Sequence, residues 1–299
     1  MTKLPELREI PPLPDEIIQA ALDGDLVLFI GAGTSILMGL PSWSIFSRQI
    51  LQQLRTLNLL NHAEIDQIAS LNDPKKQLSI AIQLAQSEGL PLDLTKPFQH
   101  SQSKCKVYNY INAIGCSYVT TNYDKYLLSK SEENRFYEKD NLRVRHLDTP
   151  GSIVHLHGCI CKPDTMIIST KDYLNHYDNE NVQEFLGHLF DKKTVLFIGY
   201  GLEEAEILEH ILRRGDVRPG AEVKRFMLQG FFSRQKPLYG NLSSYYQDSF
   251  GVDLIGFVRD HEDYAQQVSI LENWSRQIKV KPPSLSKDLD FMGEVLGNE

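Results

Sequence analysis

Leu26-Val27-Leu28-Phe29-Ile30 is an unbroken apolar pentad that runs directly into Gly31. A second run, Thr194-Val195-Leu196-Phe197-Ile198, ends in the same way at Gly199. Short apolar runs closed by glycine read as strands buried on both faces. Such strands belong to parallel sheets that carry helices on either side. Strand character returns at Cys116 to Thr121, at Ser152-Ile153-Val154-His155, at Arg225 to Gln229 and at Val252 to Phe257, with Asp164 to Ser169 a further candidate. Helical stretches fall between them: Ile17 to Leu22 opened by Asp15-Glu16, Lys171 to Phe190, Glu203 to Arg213 and Asp263 to Ile278. Alternating strands and helices predict an α/β fold, a Rossmann-like doubly wound parallel sheet.

One connection is too long for an ordinary crossover. From residue 43 to about 115 the chain is mostly helical in pattern, with Phe46, Ile50, Leu51 and Leu54 at helical spacing and Leu78, Ile82 and Ala85 repeating it. This predicts an inserted helical lobe of roughly 70 residues, against the few residues usual between elements. Ahead of the main domain, predicted over 15–280, residues 1–14 carry Pro5, Pro11, Pro12 and Pro14 and read as an extended, proline-rich arm. After Pro282-Pro283, residues 281–299 place Leu285, Leu289, Met292 and Leu296 on one face of a short amphipathic helix.

Composition narrows the function classes. A 41% hydrophobic and 23% charged chain is ordinary for a soluble globular protein. No run approaches the roughly 18 apolar residues of a membrane span, and the N-terminus lacks a secretory pattern. Four cysteines (Cys105, Cys116, Cys159 and Cys161) form no disulfide framework, so a cytoplasmic location is expected. A net charge of −8 argues against a broad nucleic-acid-binding surface.

The candidate site lies where strands end. Gly31-Ala32-Gly33-Thr34-Ser35 follows the first strand; its small residues let a pyrophosphate approach backbone N–H groups, or else simply make a tight strand–helix turn. Ile36 stands where the dehydrogenase fingerprint needs Gly or Ala, so that motif is absent. Thr121-Asn122-Tyr123-Asp124 brings an amide and a carboxylate to the sheet's carboxyl edge, where ligands enter open α/β sheets. The competing reading makes Asn122 or Asp124 the cap of a helix Lys125 to Ser129. His157, before Gly158, offers an imidazole able to take a proton near neutral pH, or a satisfied core histidine; His155 shares that ambiguity and points to the opposite face if the strand continues. Gly199-Tyr200-Gly201 lets a ligand's ribose or adenine come close, and Glu203-Glu204 binds a ribose diol or favours a helix start. Cys159-x-Cys161 lacks structural-zinc spacing, and no metal is expected.

Taken together, Gly31-Ala32-Gly33-Thr34-Ser35, Thr120-Thr121-Asn122-Tyr123-Asp124, His157-Gly158 and Gly199-Tyr200-Gly201 resemble the SIR2 (sirtuin-like) superfamily, and most closely its bacterial branch in anti-phage defence. The resemblance implies NAD as substrate, with phosphate contacts at Gly31, Ala32, Gly33, Thr34 and Ser35. It implies ribose or water positioning by Asn122 and Asp124, a catalytic imidazole at His157, adenosine contacts at the Gly199 and Gly201 turn, and further cofactor contacts at Thr121 and Tyr200. The expected activity is NAD glycohydrolysis, giving nicotinamide and ADP-ribose and depleting NAD during infection. A non-catalytic NAD or ADP-ribose sensor and an NAD-dependent deacylase are the alternatives. Deacylating sirtuins carry paired Cys-x-x-Cys knuckles after His-Gly and a Gly-Ile-Pro-Asp-Phe-Arg segment. Here no such pairs follow His157, and the chain reads Gly39-Leu40-Pro41-Ser42-Trp43-Ser44. Both departures point away from acyl-lysine and towards water as the nucleophile. Compact relatives further imply a homo-oligomer and a separate HerA-type ATPase partner.

Overall fold

A computed structural model describes residues 6–99, 103–129, 131–201, 207 and 225–281. Its centre is a seven-stranded sheet in the order β3-β4-β2-β1-β5-β6-β7. The strands are β1 (Leu26–Ile30), β2 (Ser117–Thr120), β3 (Arg135–Phe136), β4 (Ile153–His155), β5 (Thr194–Ile198), β6 (Arg225–Phe231) and β7 (Val252–Val258). Every pairing is parallel, with Val27 opposite Ser117 on one side and Val195 on the other.

The apolar pentads fill two cores because successive side chains of a strand point to opposite faces. Leu26, Leu28, Ile30, Leu196 and Ile198 pack with helices α1 (Asp15–Asp23), α6 (Val107–Ile114) and α10 (Gln266–Gln277). Val27, Phe29, Val195 and Phe197 pack on the other face with α8 (Glu180–Lys192) and α9 (Lys236–Phe250). The result is the expected doubly wound, three-layered α/β architecture. The arm meets the β7 edge at one isolated bridge, where Val258 N–H donates to the Arg8 carbonyl at 2.9 Å, and is held to α10 by the indole of buried Trp274, which donates to the Pro11 carbonyl at 3.1 Å.

The helical insertion holds a third core. Phe46, Ile50, Leu51 and Leu54 of α3 (Trp43–Thr56) meet Ile65 of α4 (His62–Ala69) and Leu78, Ala81 and Ala85 of α5 (Pro74–Ser87). Side-chain caps start these helices: Ser42 for α3, a reciprocal Asn61–Glu64 box for α4, and Asp73 before Pro74 for α5. Tyr123, Met166 and Ile168 close this core from the sheet side. By its packing α6 belongs to the sheet's helical layer, not to the core formed by α3, α4 and α5.

Several local expectations are corrected. Asp164 to Ser169 is not a strand; a 3-10 turn (Pro163–Thr165) starts it, and Ile167 N–H donates to the His157 carbonyl. Lys171 to Phe190 is two helices, α7 (Thr170–Tyr177) and α8, because the Asn179 side chain caps a new start. Lys125 to Ser129 forms no helix; Asn112 of α6 holds that segment through the Tyr126 carbonyl and Leu128 N–H. The sequence reading also lacks α9, whose tyrosines and serines make no clean apolar stripe, and β3, which is two residues long. The helix expected at Glu203 to Arg213, the Glu203-Glu204 pair, Pro5 and the C-terminal amphipathic helix lie outside the described residues, apart from Ile207, which is helical.

The turns after β1 and β5 interlock. Gly31 N–H donates to the Ile198 carbonyl at 2.9 Å, and Gly33 N–H to the Gly199 carbonyl at 2.7 Å. A side chain at residue 31 would lie 2.5 Å from the Gly199 carbonyl oxygen. Gly199 itself has φ +63°, and a Cβ there would sit 2.6 Å from Thr34 N. Gly24 has a similarly positive φ of +81° but open space around it. We therefore expect Gly199→Ala to cost about 2–4 kcal/mol, the left-handed penalty plus overpacking, and Gly24→Ala about 1 kcal/mol. Chemical denaturation of the two variants checks the difference; equal losses would show that the interlock is not rigid.

Candidate functional site

β1 is the topological switch point, since β2 pairs on one side of it and β5 on the other. At that place the loops after the strands part and leave a crevice at the carboxyl edge. A cavity of about 190 Å³ lies there. Ala32 and Ser35 line it from the β1 turn, Thr121, Asn122, Tyr123 and Asp124 from the end of β2, and Gly199, Tyr200 and Gly201 from the end of β5. Its roof comes from the helical insertion: Pro41, Trp43, Phe46 and Phe98.

Backbone amides of the β1 turn are largely committed within the protein. Gly31 and Gly33 donate to the β5 turn as described, and Thr34 N–H donates to the Gly31 carbonyl at 3.2 Å. Gly31, Gly33 and Thr34 are not on the cavity wall. Their smallness serves the close approach of two turns, and of the sequence-derived phosphate contacts only Ala32 and Ser35 face the cavity.

Asn122 and Asp124 are buried and are brought together with Ser35. The Asn122 amide nitrogen donates to the Gly31 carbonyl at 2.9 Å, while Thr120, two residues earlier, ties β2 to β1 through the Ile30 carbonyl at 2.8 Å. Asp124 accepts from the Ser35 hydroxyl at 2.5 Å, from the Tyr108 hydroxyl at 3.2 Å and from Tyr126 N–H at 3.0 Å. Burial raises the Asp124 pKa above the ordinary carboxylate value, and these three donors oppose the rise. Tyr108 is held well above the ordinary tyrosine value, first by burial and then by the adjacent Asp124 charge.

His157 sits elsewhere. It is fully buried and does not line the cavity. Its Nε2 pairs with the Tyr177 hydroxyl at 2.8 Å and its Nδ1 with that of Tyr173 at 3.3 Å. Tyr173 packs against the imidazole, with ring centroids 4.9 Å apart, and against Trp43 of the roof, at 6.4 Å, and so links His157 to the cavity roof. Burial holds the His157 pKa well below the ordinary imidazole value, with further lowering by His176 and Lys75. Lys75 of α5 rests over the Tyr173 ring at 3.8 Å, which couples the insertion to α7. His155, by contrast, reaches the Asn122 backbone: its Nδ1 lies 3.2 Å from that carbonyl, and burial lowers its pKa to about 4.

Sequence reasoning missed the roof and the tyrosine behind the wall. Phe46 occupies the same helical stripe as the insertion's core residues, so its second role as cavity lining has no separate sequence signal. Trp43, Phe98 and Tyr123 join it in an aromatic cluster with centroids 4.8–6.3 Å apart. Among the described residues no three His, Cys, Asp or Glu side chains converge to hold a metal ion.

Residues 117–241, which carry Asn122, Asp124, His157 and the Gly199–Gly201 turn, match the family model described as a SIR2-like domain. The chain is also similar to Defense-associated sirtuin 2 of Bacillus subtilis, at 25% identity over 203 residues, or 64% of this chain. The aligned region is 19% of that protein, so the chain spans under a fifth of its curated relative. Both likenesses agree with the all-parallel α/β sheet.

Proposed function

We propose that this chain is an NAD glycohydrolase that cleaves the nicotinamide–ribose bond to give nicotinamide and ADP-ribose. The observation that carries the reading is the convergence of Asn122, Asp124 and Ser35 on one cavity at the switch point of the sheet. Nicotinamide is already a cationic leaving group, so the reaction asks for no general acid. It asks for an anchored ribose, a negative group near the oxocarbenium-like carbon, and a placed water. Asp124, ionised, supplies the charge. The Asn122 carboxamide holds water or a ribose hydroxyl, and Thr121, Ala32, Gly199, Tyr200 and Gly201 line the path of the rest of the dinucleotide.

The cavity's about 190 Å³ is below the roughly 300–1,000 Å³ of typical ligand pockets. Admission of a dinucleotide therefore requires the aromatic roof to move. The same movement would bring the imidazole of His157 into use as a base, since Tyr173 now packs against it and against Trp43 of the roof. A closed resting form also suits an enzyme whose product is lethal depletion of a cofactor. The name of the relative, Defense-associated sirtuin 2, supports a role in defence; phage as the target and the cytoplasm as the place of action are part of the proposal. Homo-oligomerisation and contact with a HerA-type ATPase are the proposed means of opening the roof. The enclosure of His157 also favours a second reading, a module that binds NAD or ADP-ribose and signals without consuming it. That module would be stabilised by ligand but release no nicotinamide.

Purified protein incubated with NAD, with and without its genomic neighbour's product, should release nicotinamide measurable by chromatography. Asn122→Ala and His157→Ala should each reduce turnover at least about 100-fold, the lower end of a placed base's contribution, while circular dichroism remains that of a folded protein. Normal turnover in either folded variant would remove that residue's role. The pH profile gives an independent check. A base works in its unprotonated form, and His157 is held below the ordinary 6.5. It therefore stays competent as pH falls through 6.5 and is lost only further down. A drop in kcat/KM centred at 6.5 would instead indicate a solvated imidazole.

A further inference from the structure

We propose that Tyr108 is a positioning residue, its phenolic hydroxyl holding Ser35, Asn122 and Asp124 in a single register from behind the cavity wall. The hydroxyl oxygen lies 3.1 Å from Thr34 Oγ1, 3.2 Å from Ser35 Oγ, 3.2 Å from Asn122 Nδ2 and 3.2 Å from Asp124 Oδ2. These four groups come from two segments that the chain separates widely, the β1 turn and the end of β2. Tyr108 belongs to neither. It stands on α6, whose Val107 and Ile111 are fully buried in the core beneath the sheet, so its ring is anchored from a third element, with Tyr126 packed against it at 5.3 Å.

Counting protons shows what the hydroxyl does. The Thr34 hydroxyl donates to the Gly31 carbonyl at 2.8 Å, and the Ser35 hydroxyl donates to Asp124. The Asn122 amide is donor only at its nitrogen, with one hydrogen directed to the Gly31 carbonyl. Tyr108 therefore accepts from Asn122 and passes its own proton to Asp124, completing three donors on a buried carboxylate. Without that proton the ionised form of Asp124 loses a charge-assisted hydrogen bond, and the second hydrogen of the Asn122 amide is left with only the longer contact to Thr34 Oγ1, at 3.3 Å. Around Asp124, Ser35 is the group facing it from α2 (Ala32–Leu37) and Tyr108 from α6. On its own segment Tyr126 N–H donates to it, and the Cys159 thiol touches only its carbonyl, at 3.9 Å.

This role rests on the NAD-cleavage reading, and the test separates the two. In the full chain, Tyr108→Phe keeps the ring and deletes only the hydroxyl. Tyr110→Phe, on the same helix but outside this cluster, is the comparator. We expect Tyr108→Phe to lower kcat for nicotinamide release about 10- to 100-fold, the loss of a hydrogen bond to a charged group, with a smaller change in KM. The acid limb of kcat/KM should move to higher pH, because a carboxylate with fewer donors protonates more readily. Tyr110→Phe should change neither. A Tyr108→Phe protein that melts earlier yet keeps its kcat and its acid limb would overturn the proposal. Should that variant be unfolded, 3-fluorotyrosine in place of Tyr108, nearly isosteric and a stronger donor, must move the same limb to lower pH; an unmoved limb overturns the proposal. If the wild-type chain releases no nicotinamide but is thermally stabilised by ADP-ribose, only the hydrolase reading fails. The positioning role then requires about a tenfold weaker ADP-ribose affinity in Tyr108→Phe, and unchanged affinity overturns it. If the wild type shows neither turnover nor stabilisation, both readings fall.

Discussion

The rest of the molecule depends on two turns of bare backbone pressed against each other. Gly31 and Gly33 of one turn donate to Ile198 and Gly199 of the other, and neither approach leaves room for a Cβ. This contact aligns the carboxyl ends of the two central strands, and the loops that carry polar side chains are hung from it. The Gly31 carbonyl then receives the Asn122 amide, which extends the same backbone lattice to β2. What looks in sequence like a phosphate-binding turn is in the fold chiefly a joint. Its glycines are required by neighbouring protein before any ligand arrives.

On that joint sits a polar cluster built to keep a carboxylate buried. Asp124 has lost its water, and Ser35, Tyr108 and Tyr126 N–H replace it with fixed donors. A buried polar network stabilises a single geometry only when each member is satisfied. Here the hydroxyls of Thr34, Ser35 and Tyr108 and the amide of Asn122 have partners that account for their protons. Preorganised charge of this kind is what a reaction passing through a sugar cation needs, because nothing has to reorient as the charge develops.

The aromatic roof adds a different constraint. Trp43, Phe46, Phe98 and Tyr123 belong both to the cavity and to the core of the insertion, so any widening of the cavity disturbs that core. Tyr173 touches Trp43, Lys75 and His157 together and so links the insertion to the buried imidazole. Motion of the insertion and exposure of His157 are therefore mechanically connected.

The unbroken apolar runs at 26–30 and 195–198 determined the parallel sheet by themselves, because only burial on both faces accommodates such runs. The alternation of strands and helices likewise determined the doubly wound class, and the stripe of Phe46, Ile50, Leu51 and Leu54 announced a helical insertion. Local pattern also put Asn122 and Asp124 at a strand end, hence at the sheet's carboxyl edge where the cavity lies. It did not carry the partners of those residues, since Tyr108, Ser35 and Asp124 meet only when α6 packs under the sheet. Nor did it show that the Gly31 and Gly33 amides are already paired, or that His157 faces Tyr173 and Tyr177 in place of the cavity. Those are decided by which elements lie across from one another, and periodicity along one segment carries no information about what stands opposite it.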